Sequence, residues 1–259
     1  MFCRWTAWCA LVLLSGACFA SMTLENPQQT LRVEVRGTGV NATETISIKT
    51  GTGWVPALSA TGPSVLVKTP DGAKRCAMMR ASSVEHGLLL TGDCGIGTLE
   101  QRIMLTPEED ILAVSTRLTL RRGVHVHSVE DRYDFMPERR STDTPKSGPL
   151  DFIWSQNIKS EAEDFIPAYG FKSPAVMLQQ GQVFTALLPH LSNRKAEPLA
   201  LDLDVTSEKR PWISYGAIPA QPHGHSYFRR APDGAPKILA DTVAYSYSIV
   251  ASRQPVKLG

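Results

Sequence analysis

Between residues 97 and 135, apolar and polar positions alternate in three runs separated by breaks. Leu99, Ile103 and Leu105 share one parity before Thr106-Pro107-Glu108-Glu109-Asp110 interrupts. Leu112, Val114, Leu118 and Leu120 then take one face, with Ala113, Ser115, Arg117 and Thr119 on the other. After Arg121-Arg122-Gly123, Val124 and Val126 alternate with His125 and His127. Successive side chains of a strand point to opposite faces, so a period of two punctuated by turn residues marks half-buried antiparallel strands. The stretch predicts a three-stranded meander at the centre of an all-β fold, a large antiparallel β-sandwich.

The same rhythm runs through most of the chain. Leu31, Val33 and Val35 alternate with Arg32, Glu34 and Arg36, and short strands are expected at 45–48, 54–58 and 64–67. Residues 136–148, with Pro137, Pro145 and Gly148, read as a long loop. Strand patterns resume at 150–154, 175–178, 182–188, 199–205, 212–216 and 242–251. No amphipathic helical pattern follows residue 20. That argues for many strands rather than an α/β or helical-barrel domain.

Residues 1–20 are of a different kind. Arg4 precedes an apolar run centred on Leu11-Val12-Leu13-Leu14, and Cys18-Phe19-Ala20 offers a small-x-small cleavage site. This is the form of a signal peptide, leaving 21–259 as one sandwich domain in a secreted or periplasmic protein. Leu14-Ser15-Gly16-Ala17-Cys18 loosely resembles a lipobox, but its leucine lies one place too far upstream, so ordinary export is preferred over a lipid anchor at Cys18. No later stretch is apolar enough to span a membrane. The net charge of +2 over 259 residues is too small a bias for a nucleic-acid partner.

Export makes the cysteines informative. Cys76 and Cys94 are the two that follow the signal, and they bracket CAMMRASSVEHGLLLTGDC, which reads as two strands around Glu85-His86-Gly87. Hairpin ends meet in space, so a disulfide is expected, with two buried thiols as the alternative. Zinc is not expected, because no second Cys or His pair stands at finger-like spacing.

Candidate chemistry is sparse. His125-Val126-His127 and His223-Gly224-His225 are His-x-His pairs, and in a strand such a pair shares a face. Glu130, Asp131 and Asp134 follow the first pair and offer a carboxylate for acid/base work, giving His125, His127 and Glu130 as one candidate site. Periodicity alone also explains those histidines, as the solvated face of a strand. Pro222 and Gly224 put the second pair in a loop beside Trp212 and Tyr215, so Trp212, Tyr215, His223 and His225 form the preferred ligand-binding set. Aromatic rings stack on sugars, although large aromatics in a sandwich are also core residues, the reading favoured for Trp154. Glu161, Glu163 and Asp164 read as a solvated loop face. There is no Gly-x-Ser-x-Gly elbow, phosphate loop or dinucleotide fingerprint, and no cofactor is implied.

The signal-like start, the meander at 97–135, the segment 152–189 and the closing AYSYSIVASRQPVKLG resemble the galactose-mutarotase-like β-supersandwich module of secreted bacterial six-hairpin glycosidases. The resemblance implies a carbohydrate-associated module without catalytic residues of its own, with carbohydrate and a helical-barrel glycosidase as partners. It leaves two alternatives: a small sugar-modifying enzyme of mutarotase, epimerase or lyase type using histidine, and a structural envelope protein.

Overall fold

The computed structural model describes residues 21–61, 63–106, 109–136, 150–155, 163–167, 175–190, 198–205, 210–223, 227–232, 238 and 240–253. The expected signal peptide with Cys18, residues 137–148 of the expected loop, Glu161 and His225 lie outside these residues. Those described form an all-β, antiparallel sandwich with no helix among them.

The first sheet begins with a meander: β1 (Ser21–Glu25), β2 (Leu31–Arg36), β3 (Thr43–Thr50) and β4 (Gly53–Thr61). The sheet continues from β4 through β11 (Ser128–Phe135), β17 (Trp212–Ala217), β16 (Leu199–Asp204) and β13 (Glu163–Pro167), with β5 (Val65–Thr69) and β6 (Gly72–Arg75) added beside β11. The second sheet orders β12 (Phe152–Trp154), β14 (Val176–Gln180), β15 (Val183–Pro189), β20 (Thr242–Ser252), β10 (Ile111–Leu120), β9 (Gly97–Leu105), β8 (Gly87–Asp93) and β7 (Ala77–Val84). A separate hairpin pairs β18 (Ala220–His223) with β19 (Tyr227–Arg230).

The expected meander is two strands long, not three. β9 and β10 do pair, Leu112 opposite Leu105 through Leu120 opposite Gly97. The third strand instead crosses to the first sheet, where β11 pairs with β5, β4 and β17. Both edges of β10 are already taken, by β9 and by the closing strand β20. The crossover starts at Gly123, whose φ of 78° is a backbone conformation open to glycine at little cost.

Alternation decides which residues pack between the sheets. Leu31, Val33 and Val35 of β2 meet Leu112, Val114 and Leu118 of β10 and Val243, Tyr245, Tyr247 and Ile249 of β20 in one buried cluster. Each aliphatic side chain removed from water there contributes about 1.5–3 kcal/mol. One layer of this core is polar. Asp131 accepts from Thr116 Oγ1 at 2.7 Å, Ser64 Oγ at 3.1 Å and Gln101 Nε2 at 3.1 Å. Tyr133 donates to Glu44 Oε1 at 3.0 Å, and its hydroxyl is 3.1 Å from that of Tyr247. Asp131, Ser64, Glu44 and Tyr133 belong to the first sheet's side, and Gln101, Thr116 and Tyr247 to the second. The layer therefore bolts the two sheets together.

Cys76 and Cys94 are joined by a disulfide that closes the β7–β8 hairpin over a separation of 18 residues. The hairpin turns at Glu85-His86, with His86 at φ 56°.

Candidate functional site

The outer face of the first sheet carries the densest arrangement of chemistry on the described residues. In β11 the inward positions are Val129, Asp131, Tyr133 and Phe135, so Glu130, Arg132 and Asp134 project outward. Strand register then sets three rows. Asp134, Trp212 and Asp204 share one, Arg132, Ser214 and Asp202 the next, and Glu130, Gly216 and Ala200 the third. Adjacent rows lie about 7 Å apart, two residues along a strand.

The rows are wired by charge. The Arg132 guanidinium lies over the Trp212 ring, 3.9 Å from its centroid. Its Nε is buried without a hydrogen-bond partner among the described residues. From the β18–β19 hairpin, Arg230 reaches down to Glu130 with bonds of 2.8 and 2.6 Å, and to Asp202 at 2.6 and 3.1 Å. Ser214 Oγ donates to Glu130 Oε2 at 2.7 Å. Gly216 is required beside this cluster, because a Cβ there would sit 2.2 Å from the Val129 carbonyl oxygen and 2.6 Å from the Glu130 Cα. Phe228 packs with Phe165, Ala200 and Ile218 and holds the hairpin down from its apolar side.

Shared bonding to Arg230 separates the two carboxyls electrostatically. Burial pushes the Glu130 carboxyl up, but the Arg230 charge, the hydrogen bonds from Arg230 and Ser214 and the Arg132 charge together outweigh it and hold the carboxyl below the usual carboxylate range. Burial dominates at Asp202 and pushes it up to about 6, against Arg230 and with the Glu130 charge adding to the rise. Glu130 takes a bidentate Arg230 fork and the Ser214 hydroxyl, so it stays charged while Asp202 takes up a proton first as pH falls. Arg75 on β6 has its pKa pulled down by burial and supported by Asp134, which places it at the margin of the same face.

The sequence candidates divide sharply. Trp212 and Glu130, drawn from two different candidate sets, share this face. Tyr215 does not: it is 1% exposed, points into the sandwich, and packs edge-on against Tyr245 and Tyr247 with centroids 5.8 Å away in each case. Three residues separate it from Trp212, so the two project from opposite faces of β17, and Tyr215 is a core residue. His223 lies in β18 opposite Tyr227. His125 and His127 do not share a face either. They precede β11 in an irregular segment where Val126 bridges to Ile238, leaving His125 exposed and His127 buried. Asp131, a candidate partner for them, faces the core instead. Among the described residues no group of three or more His, Cys, Asp or Glu is placed to hold a metal ion.

Arg132, Ser214, Asp202 and Arg230 were not singled out by the sequence. Alternation in 199–205 marks Asp202 as outward, but nothing in a single strand tells which residues of other strands stand beside it. The outer face of the second sheet bears an open groove of about 560 Å3 lined by Glu100, Arg102, Ser115, Arg117 and Ser246. There Arg102 is paired with Glu100 at 3.1 Å, and Arg117 stands opposite Glu100 in register.

No protein-family model and no curated protein matches the chain. Among solved structures it is similar to the α-N-acetylgalactosaminidase NagBb from Bifidobacterium bifidum, in complex with GalNAc. The identity is 9% and the TM-score 0.48, over 90% of this chain and 36% of that one. The chain thus spans little more than a third of that enzyme's length, and the likeness transfers no residue and no activity.

Proposed function

We propose that this protein is an exported, non-catalytic carbohydrate-binding sandwich whose ligand surface is the outer face of the first sheet. The observation that carries the reading is the Trp212–Arg132 stack set beside outward carboxyl groups, with the Arg132 Nε buried and unpaired among the described residues. A sugar presents an apolar ring face and a rim of hydroxyls. An indole edge beside a guanidinium, with Asp134 and Asp204 in the Trp212 row, complements both. Three fully buried carboxyls among the described residues are poorly placed for turnover. Glu44 and Asp131 are sealed between the sheets, and Glu130 is committed to Arg230 and Ser214. A glycan array probed with the exported chain tests the reading: retention of a defined glycan class supports it, and a blank array favours a structural envelope role.

One observation favours a second reading. Glu130 and Asp202 are two carboxyls on one face with their pKa values pushed apart, which is how an acid and a base are prepared for sugar chemistry. Under that reading the protein interconverts sugar anomers or epimers, using these carboxyls in place of histidines. An anomerisation or epimerisation assay on simple sugars separates the two, since turnover abolished by Glu130→Gln belongs only to the enzyme.

A further inference from the structure

Far along the strands from the polar core layer, turns from both sheets converge around a cleft at one end of the sandwich. The β1–β2 turn brings Gln28, Gln29 and Thr30, the end of β3 brings Lys49 and Thr50, the β9–β10 turn brings Asp110, and the end of β20 brings Arg253. The cleft encloses about 390 Å3. Thr50 and Arg253 also line an adjoining cavity of about 320 Å3 that extends to Thr52 and Gln182. Both volumes are those of small-molecule sites.

The walls are fixed before any ligand arrives. Buried Asn26 accepts at Oδ1 from the Thr30 and Leu31 amides at 2.8 and 2.9 Å, and donates to Asp110 Oδ1 at 3.0 Å. The Thr30 hydroxyl donates to the same Asp110 oxygen. The Lys49 amide is tied to the Thr30 carbonyl at 2.8 Å. Gln29, at φ 54°, is held in a left-handed conformation at the lip.

The charge inside is one-sided. Asp110, the acid of the cleft, has one oxygen committed to Asn26 and Thr30. Lys49 and Arg253, both exposed, come from different sheets and make no ion pair among the described residues, although the Lys49 ammonium lies 5.2 Å from the Trp54 ring centroid. The two cations outnumber the single acid, and an anionic ligand neutralises the excess positive charge while gaining charge-assisted hydrogen bonds. We propose that this end cleft is a second binding site, for a small ligand that carries a carboxylate or a sulfate group. Lys49 and Arg253 take the anion, and the amides of Gln28 and Gln182 with the Thr52 hydroxyl face the ligand's uncharged body. The site is independent of the outer-face reading, since it shares no residue with it.

The test titrates the exported chain, observed by amide NMR, with glucuronate, with glucose 6-sulfate and with glucose. Glucuronate, glucose 6-sulfate or both are expected to shift the amides of Thr30, Lys49, Thr50 and Arg253, more weakly at high salt, whereas glucose leaves them in place. Which anion binds assigns its source. Lys49→Ala and Arg253→Ala should each weaken binding about tenfold, the effect of one lost charge-assisted hydrogen bond. Both side chains are exposed, so an unchanged thermal melt certifies that the variants are folded. The proposal is overturned if neither anion shifts these amides, if glucose shifts them equally, or if the folded double variant binds as the wild type does. Shifts confined to the amides around Trp212 would also overturn it, while supporting the outer-face reading.

Discussion

Glu44 and Asp131 lie in the dry centre of the sandwich, and their protons tie stability to pH. Burial, with the Asp131 charge adding to it, pushes Glu44 up to about 8, and burial pushes Asp131 up to about 6. Both titrate higher folded than unfolded, so the protonated forms favour folding. Their contribution is complete below the ordinary carboxyl value and is lost as pH rises through 6 and then 8. Asp202, also raised, acts in the same sense, while Glu130, held low, costs stability only under acid conditions. Unfolding by urea should therefore show lower stability at pH 8.5 than at pH 5.5. Glu44→Gln, which fixes the neutral state, should remove its share of that slope, up to roughly 3 kcal/mol between these two pH values. Stability that rises with pH over this window, or a slope unchanged by the substitution, would contradict the account. None of this was visible in the sequence. Asp131 shares the inward parity of Val129, Tyr133 and Phe135, but a carboxylate in that position reads locally as an outward or catalytic group. Its partners Ser64, Gln101 and Thr116 come from three other chain segments.

At the scale of elements, hairpins were the most legible features, because they are local. The segment from Cys76 to Cys94 showed its two strands and its turn in the sequence, and the disulfide closes the ends that the pattern brings together. Its covalent closure restricts the unfolded chain, so reduction should lower stability by about 3 kcal/mol. Mass spectrometry of exported protein alkylated without reduction should find both thiols blocked by the bridge, and two alkylated cysteines would contradict that. The β18–β19 hairpin was not legible, since its anchor is a long-range ion triad. Arg230→Ala leaves Glu130 buried without its counter-charge, a situation that costs about 3–5 kcal/mol. Adding Glu130→Gln to that variant should recover part of the loss, since the remaining amide is neutral. Urea midpoints of the single and double variants measure both effects, and equal midpoints would show that the charge is not what destabilises the single variant.

On the scale of the whole molecule, period-two alternation revealed an antiparallel sandwich but not its wiring. The 97–135 stretch illustrates why. Strands β9 and β10 alternate just as β11 does, yet only the occupied edges of β10 force the third strand into the other sheet. One of those edges is filled by β20, more than a hundred residues later, so no local signal carries the information. The same long-range wiring assembles the outer face of the first sheet from β11, β16, β17 and β19, and it turns Tyr215 inward while leaving Trp212 outside. The most direct measurement is therefore on Trp212. Affinity electrophoresis of wild type, Trp212→Ala and Arg132→Ala through gels containing the glycan selected on the array gives retention, and a thermal melt of each gives the fold. The account predicts retention reduced about tenfold or more in both variants, the loss of a stacking platform and of a charged donor, with melts close to wild type. Undiminished retention in folded Trp212→Ala would contradict it, as would a lost cooperative melt with full binding by whatever remains folded.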